Sequence, residues 1–312
     1  MKRRTFFPGI LNHCYQRSAD GGVLFYTYSD HLVYFTEYCL AARQYDIEVL
    51  ALCQMPDHIH DSVRTLRKEN LAWFKRKVNT DFSRKRNDFF RTEGPILRDR
   101  YGSAPKFGDK KARSNLIYVG NNPVERKLVM KAEEYRWNYL AYATSDHPFS
   151  EKLIVHDARW PLQKAVREVK AQFKARRTLD YAMLQRLFRS LDRKETLQLV
   201  DFIISTYNCI DYAAAARFFD SWDDLLMATH ATTGSEYDLN EVFMGKSDAY
   251  YAQMTSFLLK GNYVNDIHDI LRLSVDEKYE LFRSLTPKTD ALAEQIAHFL
   301  HMPLKRASNG ND

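Results

Sequence analysis

No apolar run in the 312-residue chain approaches the ~20 residues of a membrane span, and Met1-Lys2-Arg3-Arg4 leads into too few apolar residues for a signal h-region. A cytoplasmic protein is therefore expected. Cysteine is scarce: Cys14, Cys39, Cys53 and Cys209 show no Cys-x-x-Cys spacing and no histidines at zinc-finger intervals. This argues against structural zinc and predicts reduced, mostly buried thiols. There is also no P-loop, no dinucleotide fingerprint and no internal repeat. Any reaction catalysed here has to run without ATP bound in the usual way.

What is present is a chain long enough for about two domains, with 45% hydrophobic and 13% aromatic residues to bury. Its net charge of +6 is divided unevenly. Residues 1–145 hold 25 Lys and Arg against 16 Asp and Glu, whereas residues 146–312 hold 21 against 24. The first part is thus at +9 and the second at −3. A positive surface attracts phosphate backbones and releases their counterions. The densest basic stretch, Lys75, Arg76, Lys77, Arg84, Lys85 and Arg86, lies within residues 69–90, where Leu71, Phe74, Val78 and Phe82 recur at helical spacing. Taken alone this is a solvated helix face; beside a phosphodiester site it becomes a grip on DNA.

The first half reads as strand (10–17), helix (28–45, Ser29 as N-cap), strand (47–55), strand (58–65) and helix (69–90). A second helix follows, capped by Asp109 and ended by Pro123, because the residue before proline avoids the α region. Tyr118 then falls in that helix's last turn. This succession fits an antiparallel sheet backed by helices, an α+β fold. The pattern loosens over 145–161, and beyond it the periodicity is helical: 162–175, 181–191, 194–207, 248–259, 275–285, and a short helix carrying Leu292, Ile296 and Phe299. The expected organisation is a domain over 1–145, a linker and connecting helix over 146–175, and a helical C-terminal domain over 176–312.

The most informative stretch is Met55-Pro56-Asp57-His58-Ile59-His60. Side chains alternate along a strand, so His58 and His60 emerge on one face and Ile59 on the other. Two neutral imidazoles side by side can hold a divalent metal; a buried pair of histidines without a ligand is the plainer reading. Some sixty residues on, Tyr118-Val119-Gly120-Asn121-Asn122-Pro123-Val124 supplies a candidate nucleophile. An unassisted phenol, with a pKa near ~10, is a poor one. By the same alternation Asp61 shares the face of Ile59 and Val63, where a carboxylate needs either an escape to solvent or a partner.

His-hydrophobe-His after Met-Pro-x, followed by Tyr-x-x-x-Asn-Pro-Val, resembles the single-tyrosine HUH transposases, and among them the REP-associated tyrosine transposases. Cys14-Tyr15-Gln16-Arg17, Leu97-Arg98-Asp99-Arg100-Tyr101-Gly102-Ser103 and Tyr135-Arg136-Trp137 are similar to further segments of that family, in the same order. The resemblance covers roughly residues 5–142. It implies a ferredoxin-like antiparallel sheet and a metal-dependent endonuclease and strand-transferase acting on single-stranded or hairpin DNA. Tyr118 would attack the scissile phosphate, leaving a 5′-phosphotyrosine and a free 3′-hydroxyl. The cofactor implied is Mg²⁺ or Mn²⁺ held by His58, His60 and an oxygen ligand, which the family pattern assigns to Asn122; capping the helix end is the other role open to that residue. Arg17, Arg98, Arg100 and the basic helix are the expected phosphate contacts, and Tyr15, Phe25, Trp73 and Tyr101 the aromatic candidates for base stacking. The sequence does not decide between monomer and homodimer. A domesticated DNA-binding protein that has lost cleavage is the alternative, invited by Asp61. A histidine-triad hydrolase ranks last, since Ser62 stands where its next histidine belongs. The helical tail is similar to one attached to some family members, and a recognition helix in it would have to fit within 304–312.

Overall fold

The structure is a computed structural model describing residues 5–231 and 247–302; residues 304–312 lie outside it. Strand β1 (Leu11–Arg17) is followed by α1 (Tyr28–Gln44), β2 (Glu48–Gln54), β3 (His58–Arg64), α2 (Lys68–Phe90), β4 (Gly102–Lys106) and α3 (Gly108–Glu125). The strands form one sheet in the order β2-β3-β1-β4, with every pairing antiparallel. The fold is therefore α+β, as the sequence leads one to expect, with one strand more. Strand β4 reads Gly-Ser-Ala-Pro-Lys and lacks the β-branched and aromatic residues that mark strands. It lies at the sheet edge, where Pro105 costs no ladder bond on a neighbour.

Both faces of the sheet are covered. Cys14, Leu52, Ile59 and Val63 pack with α1 and α2 in one core, while Leu50, Cys53 and Met55 pack with Ala112, Leu116 and Val119 of α3 in another. Burial on both sides explains why β2 reads as a nearly continuous apolar run. In α2, Leu71, Phe74, Val78 and Phe82 form the buried stripe expected.

Two helix starts differ from expectation. Thr27, not Ser29, caps α1: its hydroxyl accepts from the Asp30 N–H while the Asp30 carboxylate accepts from the Thr27 N–H. Asp109 lies within the first turn of α3, where an acid suits the helix dipole, and makes no cap. Nor does Pro123 end α3, which continues to Glu125. The missing N–H falls close to the end of the helix, and Asn122 Nδ2 donates to the Tyr118 carbonyl at 3.0 Å. Tyr118 consequently sits about two turns before the end.

Beyond the sheet the chain is helical: α4 (Trp160–Lys174), α5 (Tyr181–Phe188), α6 (Arg193–Tyr207), α7 (Tyr212–Ala216), α8 (Trp222–Ala231), α9 (Ala249–Lys260), α10 (Val275–Leu285) and α11 (Ala293–Phe299). The short α7 and α8 escape the periodicity; the others follow it, with Asp180, Asp192 and Ser274 as side-chain caps. Residues of α4 to α6, among them Val166, Leu184 and Ile203, join the same core as α1. Helices α9 to α11 make a third core that includes Val23 from the N-terminal half. Among the described residues no helix is long and apolar enough to cross a membrane, and all four cysteines are free thiols.

The third core is tied to α1 by a buried ion pair, His268 Nε2 to Asp30 at 2.9 Å, with His268 Nδ1 2.7 Å from Asp266 and the ring stacked on Phe90. Burial alone would lower the His268 pKa; the charges of Asp30 and Asp266 outweigh it and raise it to about 9. Because the folded value lies above the unfolded ~6.5, the contribution is fully present below pH ~6.5 and is lost as pH rises through about 9. It is on the order of 3 kcal/mol. Raising pH from 7 to 10 is expected to lower stability, with exchange of residues 247–302 rising first. His268→Gln should flatten this part of the pH profile of urea unfolding; an unaltered profile would remove His268 as its source.

Candidate functional site

The face of the sheet under α3 gathers the polar residues. Register pairs Tyr15 with His60 and Arg17 with His58, so alternation puts His13, Tyr15 and Arg17 of β1 on the same face as His58, His60 and Ser62 of β3. Gly102 of β4, opposite Tyr15, makes room there: a Cβ at this position would lie 1.9 Å from the Tyr15 ring. Helix α3 lays Asn115, Tyr118 and Asn122 along one stripe above them. The Ser62 hydroxyl donates to Asn115 Oδ1 at 2.7 Å. The Tyr118 ring centroid is 5.4 Å from both His60 and His13, edge-on to each, and His58 lies 4.9 Å from His60.

The two histidines are each held through Nδ1. His58 Nδ1 is 2.5 Å from Asp57 Oδ1, and His60 Nδ1 is 2.9 Å from His13 Nε2. Burial alone would raise the Asp57 pKa, but the charge and hydrogen bond of His58, with Arg126 nearby, bring it down to about 2. Asp57 is thus a carboxylate at neutral pH. With Nδ1 engaged in both rings, Nε2 is the atom of each that could hold a metal, the arrangement in which a carboxylate or second imidazole orients a ligating histidine. Asn122 spends Nδ2 on the Tyr118 carbonyl, so Oδ1 is the atom it could offer a metal. Two imidazole nitrogens and an amide oxygen could hold a divalent ion, with waters or phosphate oxygens filling its remaining positions. Among the described residues no three His, Cys, Asp or Glu side chains form a metal cage, so a metal held by His58 and His60 would have to take a further ligand of another kind, such as the Asn122 amide oxygen.

His13, Asp57 and Asp248 are neighbours of the site that sequence reasoning passed over. His13 carries a signal in the strand alternation, which puts it on the face of Arg17, but the pairing register is needed to bring it to His60. Asp248 comes from the far end of the chain. Its N–H donates to Arg126 O at 3.0 Å and Ser247 Oγ to Lys127 O at 2.8 Å, fastening residues 247–248 to the end of α3. Burial, then the charge of Asp57, raise the Asp248 pKa to about 7. The whole cluster is covered: His58, His60, Tyr118 and Asn122 are exposed by 2%, 0%, 3% and 2%. Contact with a phosphodiester requires part of that cover to move.

The expected phosphate contacts divide. Arg17 ends β1 beside His58, and the Arg98 N–H donates to the Arg17 carbonyl at 3.0 Å, bringing the exposed Arg98 and Arg100 segment to the same end of the sheet. Helix α2, by contrast, packs on the opposite face, since Asp61 pairs with Lys75 there. Its basic residues are therefore not beside Tyr118. Arg76 and Arg84 are exposed, and Lys77 and Lys85 half-buried. Lys75 and Arg86 do not reach the surface: they are 3% and 1% exposed. The ammonium of Lys75 is spent on Asp61, and Arg86 is enclosed near Asp30. Phe25 is likewise buried, stacked on His31; Tyr15 and Trp73 are exposed, the latter on α2.

No family model matches the chain, and no curated protein matches it. One solved structure, a REP-associated tyrosine transposase bound to a REP hairpin, is similar over 45% of this chain and 82% of its own, with 15% identity and a TM-score of 0.41.

Proposed function

We propose that the protein is a metal-dependent single-strand DNA endonuclease and strand-transferase of the HUH tyrosine type, acting at hairpins. The observation that carries this is the meeting of Tyr118, on α3, with His58 and His60, on β3, in one cluster on a sheet whose β-α-β-β-α-β succession is ferredoxin-like. Residues 1–145 would form the catalytic unit, with 146–175 as connection and 176–312 as a helical accessory region.

In this reading the Tyr118 oxygen bonds to phosphorus, the bond to the 3′-oxygen breaks, the phenol gives up its proton and the departing 3′-oxygen gains one. The 5′-phosphotyrosine conserves the bond energy, so rejoining needs no ATP. Mg²⁺ or Mn²⁺, held by His58, His60 and Asn122, would supply the charge that neutralises the phosphate. His13 and Asp57 orient the two imidazoles. Arg17, Arg98 and Arg100 would hold the backbone at the edge of the site, with Tyr15 available for stacking.

Replacing both His58 and His60 with alanine is expected to abolish Mn²⁺-dependent cleavage of a labelled hairpin and to leave hairpin affinity within about tenfold, ~1.4 kcal/mol. Affinity comes mainly from phosphate contacts, whereas the metal acts at the scissile bond. Equal loss of both would show that the histidines serve binding or folding instead. The second reading, a DNA-binding protein without cleavage, no longer draws on Asp61, which has its partner in Lys75. It draws on the burial of Tyr118, and a wild-type chain that binds hairpins with no metal-dependent cut would establish it.

A further inference from the structure

On the side of the molecule away from Tyr118, the C-terminal half of α1, the middle of α2 and the link between α4 and α5 line a groove of about 1070 Å³. Seven of its lining residues are Lys or Arg and three are Asp or Glu. The acids are already occupied. Glu37 pairs with Lys85 at 2.6 Å, Asp81 with Lys77 at 2.7 Å and Arg84 at 3.1 Å, and Asp180 accepts from the Met183 N–H to cap α5. Arg43 donates to the neutral carbonyls of Cys39, Tyr207 and Asn208, so its charge is not cancelled. Lys174, Arg176 and Arg177 are exposed and take part in none of the ion pairs of the described residues. The groove is left with four surplus positive charges.

The backbone sets two of these arginines side by side. Arg176 has φ 53°, the left-handed conformation that follows α4, with its N–H donating to Phe173 O and that of Arg177 to Gln172 O. Glycine is the residue this position favours. An arginine there accepts a backbone cost and brings a second guanidinium beside Arg177.

We infer that this groove binds the phosphodiester backbone of nucleic acid, as a second contact on the opposite face of the sheet from Tyr118. Its surplus charges, on Arg43, Lys174, Arg176 and Arg177, are exposed and spread along a concave surface, which matches a polymer of repeating phosphates rather than a single small anion that buried donors would have to enclose. A flat anionic membrane would meet a convex surface better than a groove. The inference stands without the cleavage chemistry, because its readout is binding.

The test measures anisotropy of a labelled 25-nucleotide single strand and a 25-base-pair duplex from 50 to 300 mM KCl. Replacing Lys174, Arg176 and Arg177 together with alanine should weaken at least one of the two about tenfold and reduce its log–log salt slope by about 2, at ~0.7 to ~0.9 for each lost contact. The form affected identifies the strand state the groove takes. Arg176→Lys with Arg177→Lys should retain the slope. Arg176→Gly is the sharper variant: it relieves the backbone, so its melting temperature should equal or exceed that of the wild type while its affinity falls. Unchanged affinity and slope for both nucleic acids in the triple variant would overturn the inference, as would wild-type affinity in the Arg176→Gly variant.

Discussion

Tyr118→Phe is expected to abolish both the covalent protein–DNA adduct and strand cleavage, while the chain still folds and binds Mn²⁺. The substitution removes one oxygen and keeps the ring that packs edge-on against His13 and His60, so the cost in stability should be small. The cost to chemistry should be total, because Tyr118 is the phenol that meets both His13 and His60 edge-on. Tyr101 and Tyr135 are the controls. Tyr135 is half-buried, with its hydroxyl donating to the Gln54 carbonyl at 2.8 Å, a structural use of the same group. Phe variants at either position should still form adduct. Cleavage by Tyr118→Phe at the wild-type rate would make water the nucleophile, and a persistent adduct would move the role to another tyrosine. The burial of Tyr118 makes one further expectation specific: adduct formation should be limited by opening of the site, and mild destabilisation of its cover should raise the rate.

How much of this was readable beforehand depends on which residues carried a local signal. The His58 and His60 dyad announces itself because a strand has period two, and the Pro56-Asp57 turn fixes where that strand begins. α2 and most of the C-terminal helices announce themselves by apolar spacing. β4 does not, because an edge strand needs only backbone pairing with β1 and can be built from Gly-Ser-Ala-Pro-Lys. His13 and Asp248 became neighbours of the site through pairing register and a contact from the far end of the chain: alternation gives the face of His13 but not its partner, and Asp248 leaves no trace in local sequence. The basic helix shows the converse failure. Its charge run was plain, but charge alone carries no side of the sheet, and it was the packing of Asp61 with Lys75 that put α2 on the face away from Tyr118.

That same pair yields the largest expected effect on stability. Asp61 and Lys75 are 1% and 3% exposed and in direct contact, and the ammonium also faces the rings of Phe74 and Tyr38 at 5.3 and 5.6 Å. Burial works against the charged lysine, yet Asp61 keeps its pKa above the ordinary value. Removing one partner leaves an uncompensated charge among aromatic side chains, and breaking a buried pair in this way costs about 3–5 kcal/mol. Asp61→Ala and Lys75→Ala should each lose stability of that size in urea unfolding. Replacing the pair with neutral residues of similar shape, Asp61→Asn with Lys75→Met, should recover most of it, because no charge is then left without a counterion. The comparison also separates stability from DNA binding: if Lys75 met phosphates, adding Lys75→Met to Asp61→Asn would lower the salt slope of hairpin affinity, whereas a lysine committed to Asp61 leaves it unchanged. A loss below ~1 kcal/mol for Asp61→Ala would mean that the pair is solvated, and Lys75 would return to the surface charges of α2.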